Sequence, residues 1–388
     1  MDKLFWLRAI LLRVDRKSRT ELTRNTPMEN RTVARRQKRL VGIKRWSLVV
    51  VLAWAVCANA AGSAPLQLAQ QSKSSAPERQ RQLETQAKKE GRVIFYGVSA
   101  DMDKLLGAFR ERYPYIAVDQ FRAGGAALTS KILNESRAGK VADVIAMNAT
   151  PAWVIMERGL VSPYTSPALD TVREEFRSPN NLWVGFLHYL LIAGYNTSLV
   201  SKAALPNSYD DLLNRKWTKQ IGVDQTDWDW FQMLANVWGE PKATQFLNGL
   251  MALQPNVRRG HTLQAQLLAA GEFSISSVLY DFRVKQMKRQ GAPIEGVLLA
   301  PAVAQSDMLL LARGAAHPNA AALLMDWLLS KEAQSLVEQD LRRNSVRKDM
   351  AKEFEQMVKG GPVQVMSPEK LGPKSNYYIE LYRKIVGT

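Results

Sequence analysis

Three aspartates and a tryptophan-rich turn stand out first. The stretch Asp224-Gln225-Thr226-Asp227-Trp228-Asp229-Trp230 places three carboxylates within six positions. Packed carboxylates suit a cation, because an opposite charge nearby favours their ionised form. Thr226 or Asp227 is also suited to cap a following helix, and Trp228 to stack on a ligand or pack. A second stretch, Gly124-Gly125-Ala126-Ala127, precedes a predicted helix. Small residues there let a ligand approach backbone amides, and a helix N-terminus favours an anion. Ser99 offers a hydroxyl after a predicted strand, with Asp101 beside it as a helix cap. Asn148 and Thr150 end another strand, available for ligand contact or an Asx-type turn before Pro151. Tyr280 and Arg283 follow a strand ending at Leu279. Arg283 can pair with a carboxylate or phosphonate. The histidines, His188, His261 and His317, show no metal-ligand spacing. His188 falls in an apolar strand and reads as core, while His261 begins a helix beside Arg258 and Arg259, a cluster suited to face an anion but read first as a solvated loop.

Alternating strands and helices must position these residues. Residues 93–97, 116–121 and 142–147 are short apolar runs that read as buried strands. Helical faces follow each, over residues 103–113, 128–137 and 152–158. Residues 182–196 read as two strands. A helix is expected from Ser208, then a strand at 220–224, a helix at 227–238, a helix at 263–270 and a strand at 273–279. A further strand at 306–312 precedes a helix at 318–329, with helical pattern continuing to about 341. Strand–helix alternation with short connections implies parallel sheets with helices on their faces. Ligands on such sheets sit at the carboxyl ends of the strands. In the first unit these are the loops at 97–101, 122–126 and 148–150.

The net charge of +17 does not mark a nucleic-acid partner, because residues 1–46 carry ten of those charges. No basic cluster interleaved with aromatics follows position 60. Lys44-Arg45-Trp46, a short apolar run over residues 47–57 and Ala58-Asn59-Ala60 read as a secretory signal cleaved after Ala60. The run is shorter than the ~20 residues a membrane span needs. The single cysteine, Cys57, lies within it, so cleavage leaves no disulfide, thiol nucleophile or Cys-ligated metal. Residues 64–78, rich in Ser, Gln, Ala and Pro, read as a spacer. The expected division is a leader and signal peptide over 1–60, a spacer and first helix over 61–90, a first lobe over 91–195, a second lobe over 196–292 and a return to the first over 293–388.

The order of several short stretches carries a resemblance: residues 91–97, 109–114, 122–132 and 142–145, then 159–164, 194–196, 271–275, 280–283 and 314–318. Across about 91–340 the chain resembles bacterial extracellular solute-binding proteins of ABC importers, in the branch that includes ferric-iron binders. That resemblance implies an α/β, two-lobed periplasmic-binding-protein-like fold of type II. Each lobe would hold a mixed sheet flanked by helices, with a ligand cleft between the lobes and hinge closure over the ligand. It also places the Gly124–Ala127 loop and the Ser99 loop at the cleft. Ferric-binding members carry paired tyrosines where this chain has Leu279 and Tyr280, so Tyr280 alone is the expected metal ligand. Where some members place a histidine in the first loop, this chain has Ala100.

The expected ligand contacts are therefore Ser99, Gly124, Gly125, Ala126, Asn148, Thr150, Thr226, Trp228, Tyr280 and Arg283. The expected function is periplasmic delivery of a small anion or an anion-chelated ferric species to an inner-membrane permease by a monomer. Fe(III) would be cargo, and no cofactor is expected. An amine-type cation ranks behind. The alternatives are a sensor partner of a membrane receptor or an enzyme on the same fold. No nucleophile elbow, P-loop, dinucleotide-binding glycine motif or zincin motif supports catalysis.

Overall fold

The computed structural model describes residues 76–350 and 352–387. The expected leader, signal segment, cleavage site, Cys57 and most of the spacer lie outside the described residues.

Helix α1 (Ala76–Glu90) leads into a parallel trio of strands, β1 (Arg92–Gly97), β2 (Ala117–Arg122) and β3 (Val144–Met147). Between them run α2 (Met102–Arg112) and α3 (Gly125–Arg137), and α4 (Ala149–Glu157) follows β3. After the short β4 (Val161–Ser162) comes β5 (Val184–Asn196), all of whose residues are buried. A second parallel trio follows: β6 (Ile221–Asp224), β7 (Asn256–Arg258) and β8 (Ile275–Tyr280). The helices α5 (Trp228–Trp238), α6 (Glu240–Ala252) and α7 (His261–Ala270) connect them. Then come α8 (Asp281–Arg289), β9 (Ile294–Val297) and β10 (Ala302–Ala312). The chain continues through α9 (Pro318–Leu328), α10 (Lys331–Gln339), α11 (Lys352–Val358), β11 (Val363–Val365), α12 (Pro368–Leu371) and α13 (Ser375–Val386).

The described strands form a continuous sheet in the order β2-β1-β3-β10-β5-β8-β6-β7. Its two halves repeat one plan. In each, a parallel trio has its first strand in the middle, and a long antiparallel strand adds at the third strand's side. In the first half that long strand is β10, and in the second it is β5. The two long strands pair with each other from Val303↔Leu191 to Leu309↔Val184, so the chain crosses between halves twice, side by side. Two buried hydrophobic clusters, the larger around Phe95, Phe109 and Leu323, the other around Trp230, Phe231 and Phe246, pack the sheet.

Where two strands were expected over residues 182–196, there is one, Val184–Asn196. No turn residue interrupts it, but the strand changes partners midway. Val184 to Leu191 pairs with β10, whereas Ala193 to Asn196 pairs with β9 and in part with β8. The expected helix from Ser208 is reduced to 3₁₀ turns at Asp210–Leu213 and Arg215–Trp217, where Asn214 accepts a hydrogen bond from the Lys216 N–H and fixes a break. Helix α4 starts three residues earlier than its apolar face predicts, so Thr150 lies in its first turn and not in a loop. Helix α9 begins beside β1: Glu90 accepts hydrogen bonds from the N–H groups of Asn319 and Ala320 at 3.1 and 2.7 Å. A carboxylate at a helix N-terminus satisfies open donors and meets the positive end of the dipole. Asp143 ties the same region together, accepting from Ile94 N–H and His317 N–H and facing His317 Nδ1 at 2.8 Å.

Candidate functional site

The carboxyl ends of both parallel trios face the crossing strands, and buried charge collects there. At the end of β6, Asp224 accepts from Thr226 N–H and Thr226 Oγ1–H with one oxygen, at 2.8 and 2.6 Å. Its other oxygen accepts from Gly260 N–H at 2.6 Å. Gly260 has φ +101°, a conformation open to glycine, and it turns the chain into α7. That turn delivers His261, whose Nε2 lies 2.9 Å from Asp227 Oδ1. Asp227 and His261 are only 3% and 8% exposed. Donor atoms of Asp224, Asp227 and His261 lie within 4.8 Å of one another. Yet Asp227 Oδ2 and His261 Nδ1 have no hydrogen-bond partner among the described residues. Buried polar atoms are ordinarily paired, so these two are available to a ligand.

Burial opposes charge on His261, but Asp227 beside it, with Asp224 and Asp229 nearby, outweighs burial and pushes the imidazole up to about 9. Asp229 enters no ion pair among the described residues and accepts from Trp230 N–H at 2.8 Å, with His261 a weaker opposing influence. Burial, reinforced by the charge of Asp227, pushes it up to about 7.

Tyr280 ends β8 and closes the site with aromatic rings. Its ring lies 4.0 Å from the His261 ring, 4.8 Å from Tyr189 and 5.6 Å from Phe282 between centroids. The first half of the sheet supplies the opposite wall. Asn148 donates to Asp307 Oδ1 at 2.8 Å, and burial pushes Asp307 up to about 6 against the opposing pull of Arg343. Arg343 holds Asp101 through two hydrogen bonds, at 2.9 and 2.6 Å, and its guanidinium sits 3.2 Å from the centre of the Phe282 ring. Tyr189, on β5, lies between: burial raises its phenol, and so do Asp307 and Asp101 from one side and Asp229 from the other, against Arg343. Around these rings stand Asp101, Asp224, Asp227, Asp229 and Asp307, against the cations Arg343 and His261. The site is acidic and aromatic.

The structure brings Asn148, Thr226 and Tyr280 to this region, Thr226 as a hydrogen-bond partner of Asp224, and distributes the other expected contacts differently. Neither Thr226 nor Asp227 caps α5 with its side chain; Asp224 recruits Thr226, and His261 recruits Asp227. Asp101 does not cap α2, because Arg343 takes its carboxylate. Ser99 accepts from Asp101 N–H at 3.2 Å. Asn148 makes no side-chain cap bond at the start of α4, and its amide N–H donates to Asp307. Thr150 is half-buried at the start of α4, and Trp228 half-buried against the second cluster. Gly124, Gly125 and Ala126 open α3 at the end of the edge strand β2, with no side chain capping that helix. Arg283 turns along its own helix to Gln286 Oε1, at 2.5 Å. His188 is core, stacked on Phe176 at 4.2 Å, but His261 is buried and ion-paired and not in a solvated loop. Sequence reasoning missed His261, Asp307, Arg343 and Tyr189 as site residues, and held Asp229 only as a member of the three-aspartate cluster. A lone aspartate in the apolar run 306–312 was a usable signal for Asp307. Arg343 carries no local signal, since Asp101 is 242 residues away.

Two sheet halves of repeated topology, joined by paired crossing strands with a polar site at the strand ends between them, define a two-lobed binding-protein fold. Residues 140–371 match the family of bacterial extracellular solute-binding proteins, and the chain belongs to that family. Solved structures agree on the fold. Iron-bound HitA from Pseudomonas aeruginosa superposes with a TM-score of 0.67 at 20% identity, over 76% of this chain and 99% of that one. The Trichodesmium protein IdiA, or FutA, in complex with iron and citrate gives 0.66 at 20% identity over the same shares. An uncharacterized protein of Haemophilus influenzae is 27% identical over 273 residues, 64% of this chain and 76% of its own length. Iron uptake protein A2 of Synechocystis is 26% identical over 193 residues, 47% of this chain, which spans about half (54%) of that relative's length.

Proposed function

We propose that this protein is the periplasmic solute-binding component of an ABC importer, carrying ferric iron, bare or held by a small chelating anion, to an inner-membrane permease. It would act as a monomeric carrier and not as a catalyst, with iron as cargo. The lobes would span 91–195 and 196–292, with 293–388 returning to the first, and would close about the crossing strands β5 and β10. The observation that carries this reading is Asp227 Oδ2, a buried and unpartnered carboxylate oxygen beside His261 and Asp224, under Tyr280. Carboxylate and phenolate oxygens are hard donors suited to Fe(III). Relatives named as iron uptake proteins and iron-bound structural neighbours point to the same cargo. A chelating anion, or a small anion by itself, has a place at the uncapped start of α3, where Gly124, Gly125 and Ala126 expose backbone amides.

Thermal unfolding with ferric salt, ferric citrate, citrate alone and phosphate tests the reading. A ligand at a hundred times its Kd adds about 2.7 kcal/mol of stability. Ferric salt or ferric citrate should stabilise the protein, and Asp227→Asn should weaken that binding at least tenfold. Stabilisation by neither ferric species, or an Asp227→Asn response equal to the wild type, overturns ferric cargo. Stabilisation by phosphate alone selects the small-anion reading.

A further inference from the structure

A second charged site lies where α8 meets the segment from α10 to α11. There a cavity of about 220 Å³ is lined by Lys285 and Arg289 from α8, by Glu338 from α10 and by Arg342, Arg343, Lys352 and Glu353 from the segment after it, five cationic side chains against two carboxylates. This is smaller than the ~300–1,000 Å³ of typical organic-ligand pockets, and suits a small ion. The charges do not cancel within it. Lys285 is spoken for, 3.3 Å from Asp281 and 2.9 Å from Glu353. Arg289, Arg342 and Lys352 enter no ion pair among the described residues. Arg343 spends Nε and Nη2 on Asp101, and its Nη1 is buried with no hydrogen-bond partner among the described residues, so Arg343 adds charge to the wall and not an open donor. Arg342 is held at φ +59°, a left-handed conformation rare for a residue with a side chain. Such strain persists where surrounding structure imposes it, and it clusters at functional sites.

We propose that this cavity binds a small oxyanion, phosphate or a di- or tricarboxylate, distinct from the cargo of the cleft. Its walls come from α8, which packs on β5, β8 and β9, and from the segment that follows α10, where Asn344 bridges to His188 of β5 and Arg347 to Val172. An oxyanion there accepts from the guanidiniums of Arg289 and Arg342 and from the Lys352 ammonium. Arginine's planar donors fit carboxylate and phosphate oxygens in this way.

Calorimetric titration of the purified protein with phosphate and with citrate, free of iron and at fixed ionic strength, tests the site. The expected result is saturable binding of at least one of them. It should be at least tenfold weaker in Arg289→Gln/Arg342→Gln, whose positions are exposed, and unchanged in Asp227→Asn. Lys352→Gln, checked for native circular dichroism, is the second variant and should weaken binding several-fold. A response to phosphate alone selects inorganic anions, and a response to citrate alone selects organic acids. Loss of binding in Asp227→Asn would place the anion in the cleft and overturn the proposal. Binding unchanged in both basic-residue variants, or no saturable binding beyond that of chloride, overturns it as well. The iron titration of the cleft is read separately, so the two conclusions fail independently.

Discussion

At the scale of single residues, the cleft holds more negative charge than its own cations balance. Asp229 shows the cost. Its carboxyl is pushed up to about 7 because ionising it means charging a buried group beside Asp227. A group whose folded pKa is raised contributes stability that is present below its unfolded value, near 4, and lost as pH rises through about 7. His261 behaves with the same sign: its contribution is complete below about 6.5 and lost as pH rises through about 9. The ligand-free protein should therefore lose stability steadily between pH 5 and about 9, as urea unfolding at several pH values would show. Asp229→Asn removes the first part of that decline. It should stabilise the empty protein by about 1–2 kcal/mol at pH 8 and weaken cation binding tenfold or more, a trade of function for stability. An Asp229→Asn protein no more stable than the wild type at pH 8 would mean that the carboxylate already has a counter-charge.

At the scale of elements, distant contacts set where helices begin and how closely they pack. Glu90 closes the N-terminus of α9 from 230 positions away, accepting from Ala320 N–H. Glu90→Ala leaves those donors unmet and should cost about 1–2 kcal/mol, read as a lower urea midpoint with an unchanged slope. Gly372, after α12, lies under Trp153 of α4, where an added Cβ would stand 1.9 Å from the indole Cγ. Gly372→Ala must push that ring aside and should cost about 1–3 kcal/mol. These contacts also explain what the sequence could and could not disclose. The strand–helix alternation was legible because apolar runs and amphipathic faces are local patterns, and it placed the site at the strand ends. Strand β5 was misread because its change of partners is a property of the whole sheet. The role of Asp227 was misread for a similar reason: a helix cap is a local expectation, while its pairing with His261 depends on the turn at Gly260. Arg343, which bridges Asp101 and Phe282, belongs to no motif at all.

At the scale of the whole molecule, the repeated half-sheets explain why a cleft exists and why its charge matters. Each half presents the carboxyl ends of its parallel strands to the paired strands β5 and β10, so groups from both meet around Tyr189. A cation entering there neutralises Asp229 and Asp307, which stand near 7 and 6 when the cleft is empty. Attraction to a cation favours the ionised carboxylates and lowers both values. Binding at pH 6.5 should then release on the order of one proton, and affinity should rise with pH from 6 to 8. An anion would act in the opposite direction, raising both values and taking protons up. Calorimetry of ferric citrate binding in two buffers of different ionisation enthalpy counts the protons directly. Net release identifies the acidic wall as the part of the cleft that meets positive charge. Net uptake would show that the ligand presents its negative groups there, and the cargo would have to be assigned as an anion.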